Sequence, residues 1–348
     1  MPGHSDFSSF AWKGAVRKEH GVKGKIAFEE HMSLPETLED SRTFAGGSAN
    51  WEDFARRILD IDQERLDTME RNGIEYAILS LNAPAVQAIL DTNKAIEISQ
   101  RANDRMAEAV AKHPTHFGGF AALPMQDPDA AARELTRCVN ELGFKGALVN
   151  GFTQKDVPDS AIYYDIPAYR GFWSVVSELN VPFYLHPRTQ IASRAQAYEG
   201  HPWLMSSPWG FAVETSIHAL RLCGSGLFDE FPNLKIIIGH LGEHIPYDLW
   251  RIDARMRFSP RGYEGRRYLG EYFKDHFYVT TSGNFCDPSF QCCLEVMGSD
   301  RVLFSADYPF ETMEDAANWF DNTPLSDSDR RLIGRSNAID LFKLPLER

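Results

Sequence analysis

The segment 301-RVLFSADYPFE-311 begins as a short apolar run that is followed by one aspartate, Asp307, placed just before a tyrosine and a proline. The interior of a strand favours side chains that pack, so a carboxylate at the end of an apolar run needs an explanation. It either caps the turn or helix that follows, or it occupies a binding or catalytic position. Similar runs elsewhere in the chain decide between the two.

Seven more short, apolar runs rich in β-forming residues precede this segment. They cover residues 25–31, 76–84, 117–124, 145–152, 181–187, 234–243 and 277–284. Between them lie amphipathic segments such as 94–113 and 129–143, in which apolar residues recur every three or four positions. Strands that alternate with helices are typical of a parallel sheet, and eight such units predict an α/β fold, a (β/α)₈ TIM barrel. A doubly wound open sheet is the structural alternative.

The domain organisation predicted from the 348 residues is simple. No internal repeat or low-complexity linker divides the chain, so we expect one catalytic barrel domain over residues 25–348, ending in C-terminal helices. Residues 1–24 are polar and interrupted by charge, and we expect them to form a flexible N-terminal extension. Residues 35–57 and 188–210 are predicted to be long loops, which in a barrel usually carry function.

Composition excludes several classes of partner. With 36 basic and 49 acidic residues the formal charge is −13, which repels a phosphate backbone, so we expect no nucleic-acid partner. No run of about 18 apolar residues exists, so no membrane span is predicted. The five cysteines include no C-x-x-C, which indicates neither a disulfide framework nor a zinc finger and favours a cytoplasmic protein.

Four of the eight runs, the first, fifth, sixth and eighth, end in side chains that can bind a metal ion. The first ends in Glu29-Glu30-His31, where strand alternation places Glu29 and His31 on one face and Glu30 on the other. The fifth ends in His186 and the eighth in Asp307. The ends of barrel strands converge, so two imidazoles and two carboxylates predict one divalent-metal site, suited to Zn²⁺ or Mn²⁺, with open positions for a substrate.

Each of these residues also has an ordinary structural explanation. A histidine after a strand is most often hydrogen-bonded at the start of a loop, and Asp307 alone is as easily a helix cap or turn residue as a ligand. The coincidence of four such side chains at strand ends favours the metal site. The sixth run adds His240 and Glu243 at the same end of the barrel.

Several motifs together resemble one family. The segments 25-KIAFEEHMSLPET-37, 181-VPFYLHPR-188, 236-IIIGHLGEHIP-246 and 303-LFSADYPFE-311 are similar to the ortho-hydroxybenzoate decarboxylases of the amidohydrolase superfamily. Within that group the chain most resembles the γ-resorcylate (2,6-dihydroxybenzoate) decarboxylases. Typical hydrolases of the superfamily have H-x-H where this chain has Glu29-Glu30-His31, and salicylate and 2,3-dihydroxybenzoate decarboxylases resemble E-E-A there. His31 therefore favours the γ-resorcylate branch.

The resemblance implies a metal-dependent, non-oxidative and reversible conversion of 2,6-dihydroxybenzoate, a small aromatic acid, to resorcinol and CO₂. It implies one divalent ion per subunit, no organic cofactor and a homotetramer. It also assigns roles to seven residues: the metal ligands Glu29, His31, His186 and Asp307, with Asp307 also the general acid, the active-site histidine His240 with its supporting Glu243, and the substrate contact Arg251.

Three alternatives stay open at this point. The first is a decarboxylase of the 2,3-dihydroxybenzoate or salicylate type. The second is a metal-dependent hydrolase of the same superfamily, in which the ion would activate water and Asp307 would accept its proton. The third is a non-catalytic barrel that serves as a binding or scaffold protein.

Overall fold

Eight parallel strands form one sheet whose order follows the chain. The structure is a computed structural model and describes residues 22–42 and 51–348. The described residues contain ten strands, of which β5 and β6 pair only with each other: β1 (Lys25–Met32), β2 (Ile74–Leu81), β3 (Phe117–Ala121), β4 (Gly146–Asn150), β5 (Thr153–Lys155), β6 (Val157–Ile162), β7 (Phe183–His186), β8 (Ile236–Ile238), β9 (Phe277–Thr280) and β10 (Val302–Leu303). The sheet order is β1-β2-β3-β4-β7-β8-β9-β10, without the reversal of a doubly wound sheet. The predicted (β/α)₈ barrel is therefore confirmed.

Helices pack around this barrel, and the C-terminal one packs against its interior residues at one end. They are α1 (Trp51–Leu59), α2 (Gln63–Arg71), α3 (Thr92–Lys112), α4 (Pro128–Asn140), α5 (Arg170–Leu179), α6 (Gly210–Gly224), α7 (Leu227–Glu230), α8 (Ile245–Met256), α9 (Leu269–His276), α10 (Asp287–Met297), α11 (Met313–Asn322), α12 (Asp327–Arg331) and α13 (Asn337–Phe342). The helices predicted over 94–113 and 129–143 correspond to α3 and α4. No helix in the described ranges is both long and apolar enough to span a bilayer.

The barrel closes between β10 and β1 with little backbone pairing. One isolated bridge joins Glu30 to Tyr308, and the His31 N–H donates to the Tyr308 carbonyl at 2.7 Å. The hydroxyl of Ser305 accepts from the N–H groups of two consecutive β1 residues. The seam between the first and last strands therefore depends on a side chain as well as on the backbone.

The inside of the barrel is filled at one end. Its inward residues form a cluster with the C-terminal helix α13 and the residues around it, and Phe342 of α13 lies 5.3 Å from Phe28 between ring centroids. The members from the strands are Ile26, Phe28, Tyr76, Ile78, Phe120, Leu148, Tyr184, Ile237 and Leu303. Because these residues fill the lower part of the barrel, the opposite end, where the strands terminate, is left for a site.

Two details differ from the sequence prediction. An antiparallel hairpin, β5 and β6, follows β4 and was not predicted. The predicted loop over 35–57 is wrong in part, because a 3₁₀ turn covers Leu38–Ser41 and α1 begins at Trp51. The segment 188–210 is a long connection with 3₁₀ turns at Ala192–Tyr198 and Pro202–Leu204. The predicted extension over 1–24 lies almost entirely outside the described residues.

Candidate active site

A β-bulge in β1 turns Glu29 and His31, which form an E-x-H motif, toward the barrel axis. The pairing register between β1 and β2 shifts by one residue between Ala27 and Glu30, so β1 carries an extra residue there. Phe28 belongs to the interior cluster, and regular alternation from it would point Glu30 inward. Because of the bulge, Glu29 and His31 face the interior instead.

The four predicted ligands meet at the carboxyl ends of β1, β7 and β10. One ligand atom from each of Glu29, His31, His186 and Asp307 lies within 4.8 Å of the others. Nε2 of His31 is 3.2 Å from Oδ1 of Asp307, and Nε2 of His186 is 3.3 Å from Oε1 of Glu29. Glu29 and His31 are fully buried, and His186 is nearly so. The structure thus brings together four side chains that are far apart in the sequence.

The donor atoms of this cluster fit a divalent cation. Oε1 of Glu29, Nε2 of His31 and Oδ1 of Asp307 are buried and have no hydrogen-bond partner among the described residues. Buried polar atoms are normally hydrogen-bonded. Several buried oxygen and nitrogen atoms without such a bond at one point therefore indicate a site that binds a cation. A mixed set of imidazole and carboxylate groups suits Zn²⁺ or Mn²⁺.

Further side chains, which the sequence analysis missed, hold the ligands in place. The hydroxyl of Tyr184 donates to Oε2 of Glu29, and Thr280 donates to the same oxygen at 3.2 Å. The hydroxyl of Ser80 lies 3.1 Å from Nδ1 of His31. Such contacts fix the orientation of a metal ligand and leave its other donor atom free. Alternation could have found Tyr184, which lies two residues before His186 on the same face of β7.

His240 lies beside the cluster, and Glu243 orients it. Nδ1 of His240 is 2.7 Å from Oε1 of Glu243. Nε2 of the same ring is 3.6 Å from Oδ2 of Asp307 and 3.8 Å from Oε1 of Glu29. The ring therefore faces the carboxylates of the cluster with one nitrogen and its own supporting carboxylate with the other.

The charges at the site follow from burial and from these contacts. Burial opposes ionisation of Glu29, but the imidazoles of His240, His186 and His31 outweigh it and hold the pKa of Glu29 well below its usual range. Burial lowers the pKa of His31, which favours the neutral ring that binds metals. Burial also acts to lower the pKa of His240, but Glu243 and Glu29 outweigh it and raise that pKa well above its usual range.

The outward residue of the motif, Glu30, has a different environment. It is fully buried, and burial raises its pKa to about 8, although the Ala306 N–H and Arg65 act in the opposite direction. Its Oε1 accepts from the Ala306 N–H at 3.2 Å and from the Ser305 hydroxyl at 3.2 Å. Glu30 therefore contacts the strand that carries Asp307 rather than the cluster.

Arg251 lies apart from the cluster within one chain. It is on the exposed side of α8, and its guanidinium has no hydrogen bond or ion pair with a residue in the described ranges. It does not line the pocket of about 560 Å³ that opens beside His240. Its role as a substrate contact stays a prediction.

Comparisons with a family model, with curated proteins and with solved structures all indicate the same family. Residues 49–344 match the family model described as Amidohydrolase. A γ-resorcylate decarboxylase of Rhodococcus jostii (strain RHA1) is 55% identical over 328 residues, covering 93% of this chain and 99% of that protein. One of Rhizobium sp. (strain MTP-10005) is 53% identical over 326 residues, with the same coverage. The structure of a dihydroxybenzoic acid decarboxylase of Polaromonas sp. JS666, with bound manganese and 2-nitroresorcinol, is 53% identical and covers 94% of this chain and 98% of that one, with a TM-score of 0.91.

Proposed function

This chain belongs to the amidohydrolase family, and on that premise we propose that it is a metal-dependent decarboxylase of an ortho-hydroxybenzoate. The reaction converts 2,6-dihydroxybenzoate to resorcinol and CO₂, and the enzyme is a carboxy-lyase. The observation that carries this proposal is the cluster of Glu29, His31, His186 and Asp307 with His240 beside it. Relatives named for this reaction are 53 to 55% identical over almost the whole chain.

The chemistry of the substrate explains why an acid and a cation belong together. Direct loss of CO₂ from an aryl carboxylate would leave an aryl carbanion, which is too unstable to form. Protonation of the ring carbon that bears the carboxylate avoids this species, and an ortho hydroxyl, once ionised, makes that carbon basic enough to accept the proton. Rearomatisation then expels CO₂, so no redox or organic cofactor is needed.

The metal-binding residues would be Glu29, His31, His186 and Asp307. A divalent cation bound there would neutralise and hold the phenolate and carboxylate oxygens of the substrate. We propose Mn²⁺ rather than Zn²⁺, because the solved relative from Polaromonas contains manganese. Tyr184 and Ser80 would keep the ligands oriented through their hydrogen bonds to Glu29 and His31.

Asp307 and His240 would transfer the proton that the ring carbon accepts. Oδ1 of Asp307 faces His31 and the other ligands, whereas Oδ2 faces Nε2 of His240. A proton on Asp307 can therefore be delivered to the ring carbon while the carboxylate stays beside the cation. His240 keeps its proton readily, because the Glu243 carboxylate stabilises the charged ring, and it can return a proton to Asp307.

We propose a cytoplasmic homotetramer as the working form. Two aromatic side chains of α8 support oligomerisation, since Tyr247 and Trp250 are 81% and 82% exposed in one chain. Large exposed aromatic groups are typical of interaction surfaces. Arg251 lies on the same helix, apart from the cluster of its own chain, so it would contact an anionic oxygen of the substrate only in the assembled oligomer. The absence of disulfides among the five cysteines is consistent with a reducing compartment. Light scattering coupled to size exclusion would test the tetramer.

A substrate panel tests the proposed reaction. Purified protein is given 2,6-dihydroxybenzoate, 2,3-dihydroxybenzoate and salicylate, substrate absorbance is followed, products are identified, and metal content is measured on the same sample. We expect resorcinol and CO₂ from 2,6-dihydroxybenzoate, with about one divalent ion per chain, as four ligands at one site imply. Faster turnover of salicylate or 2,3-dihydroxybenzoate would overturn the substrate assignment. Failure on all three acids would overturn the decarboxylase itself.

A further inference from the structure

Ser305 connects β1 to the segment that follows β10, and these two segments carry three of the four proposed ligands. Its hydroxyl oxygen accepts from the N–H of Phe28 at 3.1 Å and from the N–H of Glu29 at 2.8 Å. The β1 bulge places the N–H groups of both residues on the same side of the strand, so both can point at one acceptor. Without this acceptor, two backbone donors in a fully buried position would lose their partner.

Glu30 completes the connection from the other direction. Its Oε1 accepts from the Ser305 hydroxyl and from the Ala306 N–H, both at 3.2 Å. Ala306 precedes Asp307, so Glu30 of β1 holds the backbone that presents Asp307. Oε2 of Glu30 has no hydrogen-bond partner among the described residues, so only one oxygen of the carboxylate makes the connection.

The backbone of Ser305 is fixed separately from its side chain. Thr281 accepts from the Ser305 N–H and donates to the Ser305 carbonyl, both at 3.0 Å. These bonds attach residue 305 to the segment that follows β9, so the position of its hydroxyl is set by a neighbour other than β1. The ordinary β-ladder is short here, because β10 has only two residues and the described residues show a single isolated bridge to β1, from Tyr308 beyond β10 to Glu30.

From these contacts we propose that Ser305 and Glu30 are positioning residues that stabilise the β1 bulge and set the position of Glu29 and His31 relative to Asp307. Their loss would let β1 relax toward regular alternation, which turns Glu29 and His31 away from the barrel axis. The affinity of the site for its cation depends on that alignment. This inference rests on the proposed function, because it assumes that the cluster binds a divalent cation.

The main experiment compares Ser305→Ala with a matched control. Ser99 is also fully buried and also forms a hydrogen bond, from its hydroxyl to the Ile96 carbonyl in α3. Metal-free wild type, Ser305→Ala and Ser99→Ala are titrated with Mn²⁺ by calorimetry, and thermal midpoints are measured without metal. We expect Ser305→Ala to weaken Mn²⁺ binding by about 10- to 100-fold, the range for lost supporting contacts, while Ser99→Ala binds Mn²⁺ like the wild type.

A second pair of variants protects the test if Ser305→Ala does not fold. Glu30→Gln keeps an oxygen that can accept from Ser305 and Ala306, and its new amide group takes the position of the oxygen that has no partner. Glu30→Met has similar length but no acceptor. We expect Glu30→Met to weaken Mn²⁺ binding and Glu30→Gln to retain it.

The outcomes separate the inference from the proposed function. Wild type that does not bind Mn²⁺ would overturn the metal site itself. Wild type that binds, together with unchanged affinity in Ser305→Ala or in Glu30→Met, would overturn the positioning role alone. Equal losses in Glu30→Gln and Glu30→Met would also overturn it, because keeping the acceptor oxygen would then make no difference to metal binding.

Discussion

The two oxygens of Asp307 face different partners: Oδ1 lies 3.2 Å from Nε2 of His31, and Oδ2 lies 3.6 Å from Nε2 of His240. Asp307 and His240 both have positive φ angles, +76° and +54°. A backbone conformation of this kind costs about 1–3 kcal/mol of free energy per non-glycine residue. It persists where the surrounding structure maintains it, often at functional sites. The fold therefore sustains strain at the two residues that would share the proton.

Replacing Asp307 by asparagine separates its two proposed roles. Asparagine keeps one oxygen that can bind the cation but cannot donate the acidic proton. We expect Asp307→Asn to retain metal at least partly, while turnover of 2,6-dihydroxybenzoate falls by about a hundredfold or more. The measurements are kcat, metal content and thermal midpoint. If Asp307 were only a cap, asparagine would replace it well and turnover would stay near that of the wild type.

Removing a ligand has a different expected result. Glu29→Ala and His186→Ala each delete one of four donor groups, so both should lose bound metal and activity together. His276→Ala is a suitable control, because His276 is buried and bonded to the Leu234 carbonyl away from the cluster. That variant should lose stability but keep metal. Full metal occupancy in either ligand variant would show that the ligand is wrongly assigned.

The hydroxyl of Tyr184 should affect metal affinity more than stability. Tyr184→Phe removes one of the two hydroxyl donors to Oε2 of Glu29 and leaves that oxygen with Thr280 alone, so the carboxylate is held less firmly. We expect Mn²⁺ affinity to fall by about tenfold, the lower end for supporting contacts of a ligand. Tyr164→Phe is the matched control, because Tyr164 is equally buried and donates to the Gly151 carbonyl. Equal metal affinity in both variants would argue against this role of Tyr184.

The sequence was sufficient to predict the barrel and the members of the cluster for a physical reason. Parallel strands buried on both faces appear as continuous apolar runs, and their carboxyl ends meet, so the coincidence of His186 and Asp307 with Glu29 and His31 at strand ends indicated the cluster. The E-x-H spacing also holds locally, because two residues apart on a strand share a face.

The contacts that support the cluster depend on distant residues and were not predictable in this way. The β1 bulge is held by Ser305, which is 276 positions from Glu29. Alternation counted from Phe28 would have pointed Glu30 inward and Glu29 outward. The β5–β6 hairpin and α1 were missed because short strands and helices within long connections carry weak periodic signals.

His218 should make folding stability depend on acid. It is fully buried, and burial together with Arg221 lowers its pKa to about 3, while its Nε2 accepts from the Tyr164 N–H at 3.1 Å. Unfolded histidine has a pKa of about 6.5, so between these values the unfolded chain binds the extra proton and stability falls as pH falls. In His218→Gln the amide oxygen can still accept from Tyr164. Between pH 7.5 and 5.5 the wild type should lose about 1.4 kcal/mol more unfolding free energy than this variant, measured by urea denaturation. Equal losses would contradict a neutral buried His218.

The proposed route should also run backwards. Each step of it is a proton transfer or the making or breaking of one carbon–carbon bond, and no oxidant or reductant is consumed, so high bicarbonate should drive the carboxylation of resorcinol. In that direction Asp307 would accept the ring proton after the new carboxylate forms beside a phenolate oxygen. We expect 2,6-dihydroxybenzoate to accumulate with wild type and metal, as measured by chromatography, and not with His186→Ala under the same conditions, which controls for uncatalysed carboxylation. An enzyme that decarboxylates well but forms no acid from resorcinol and bicarbonate would show that an irreversible step is missing from the proposed route.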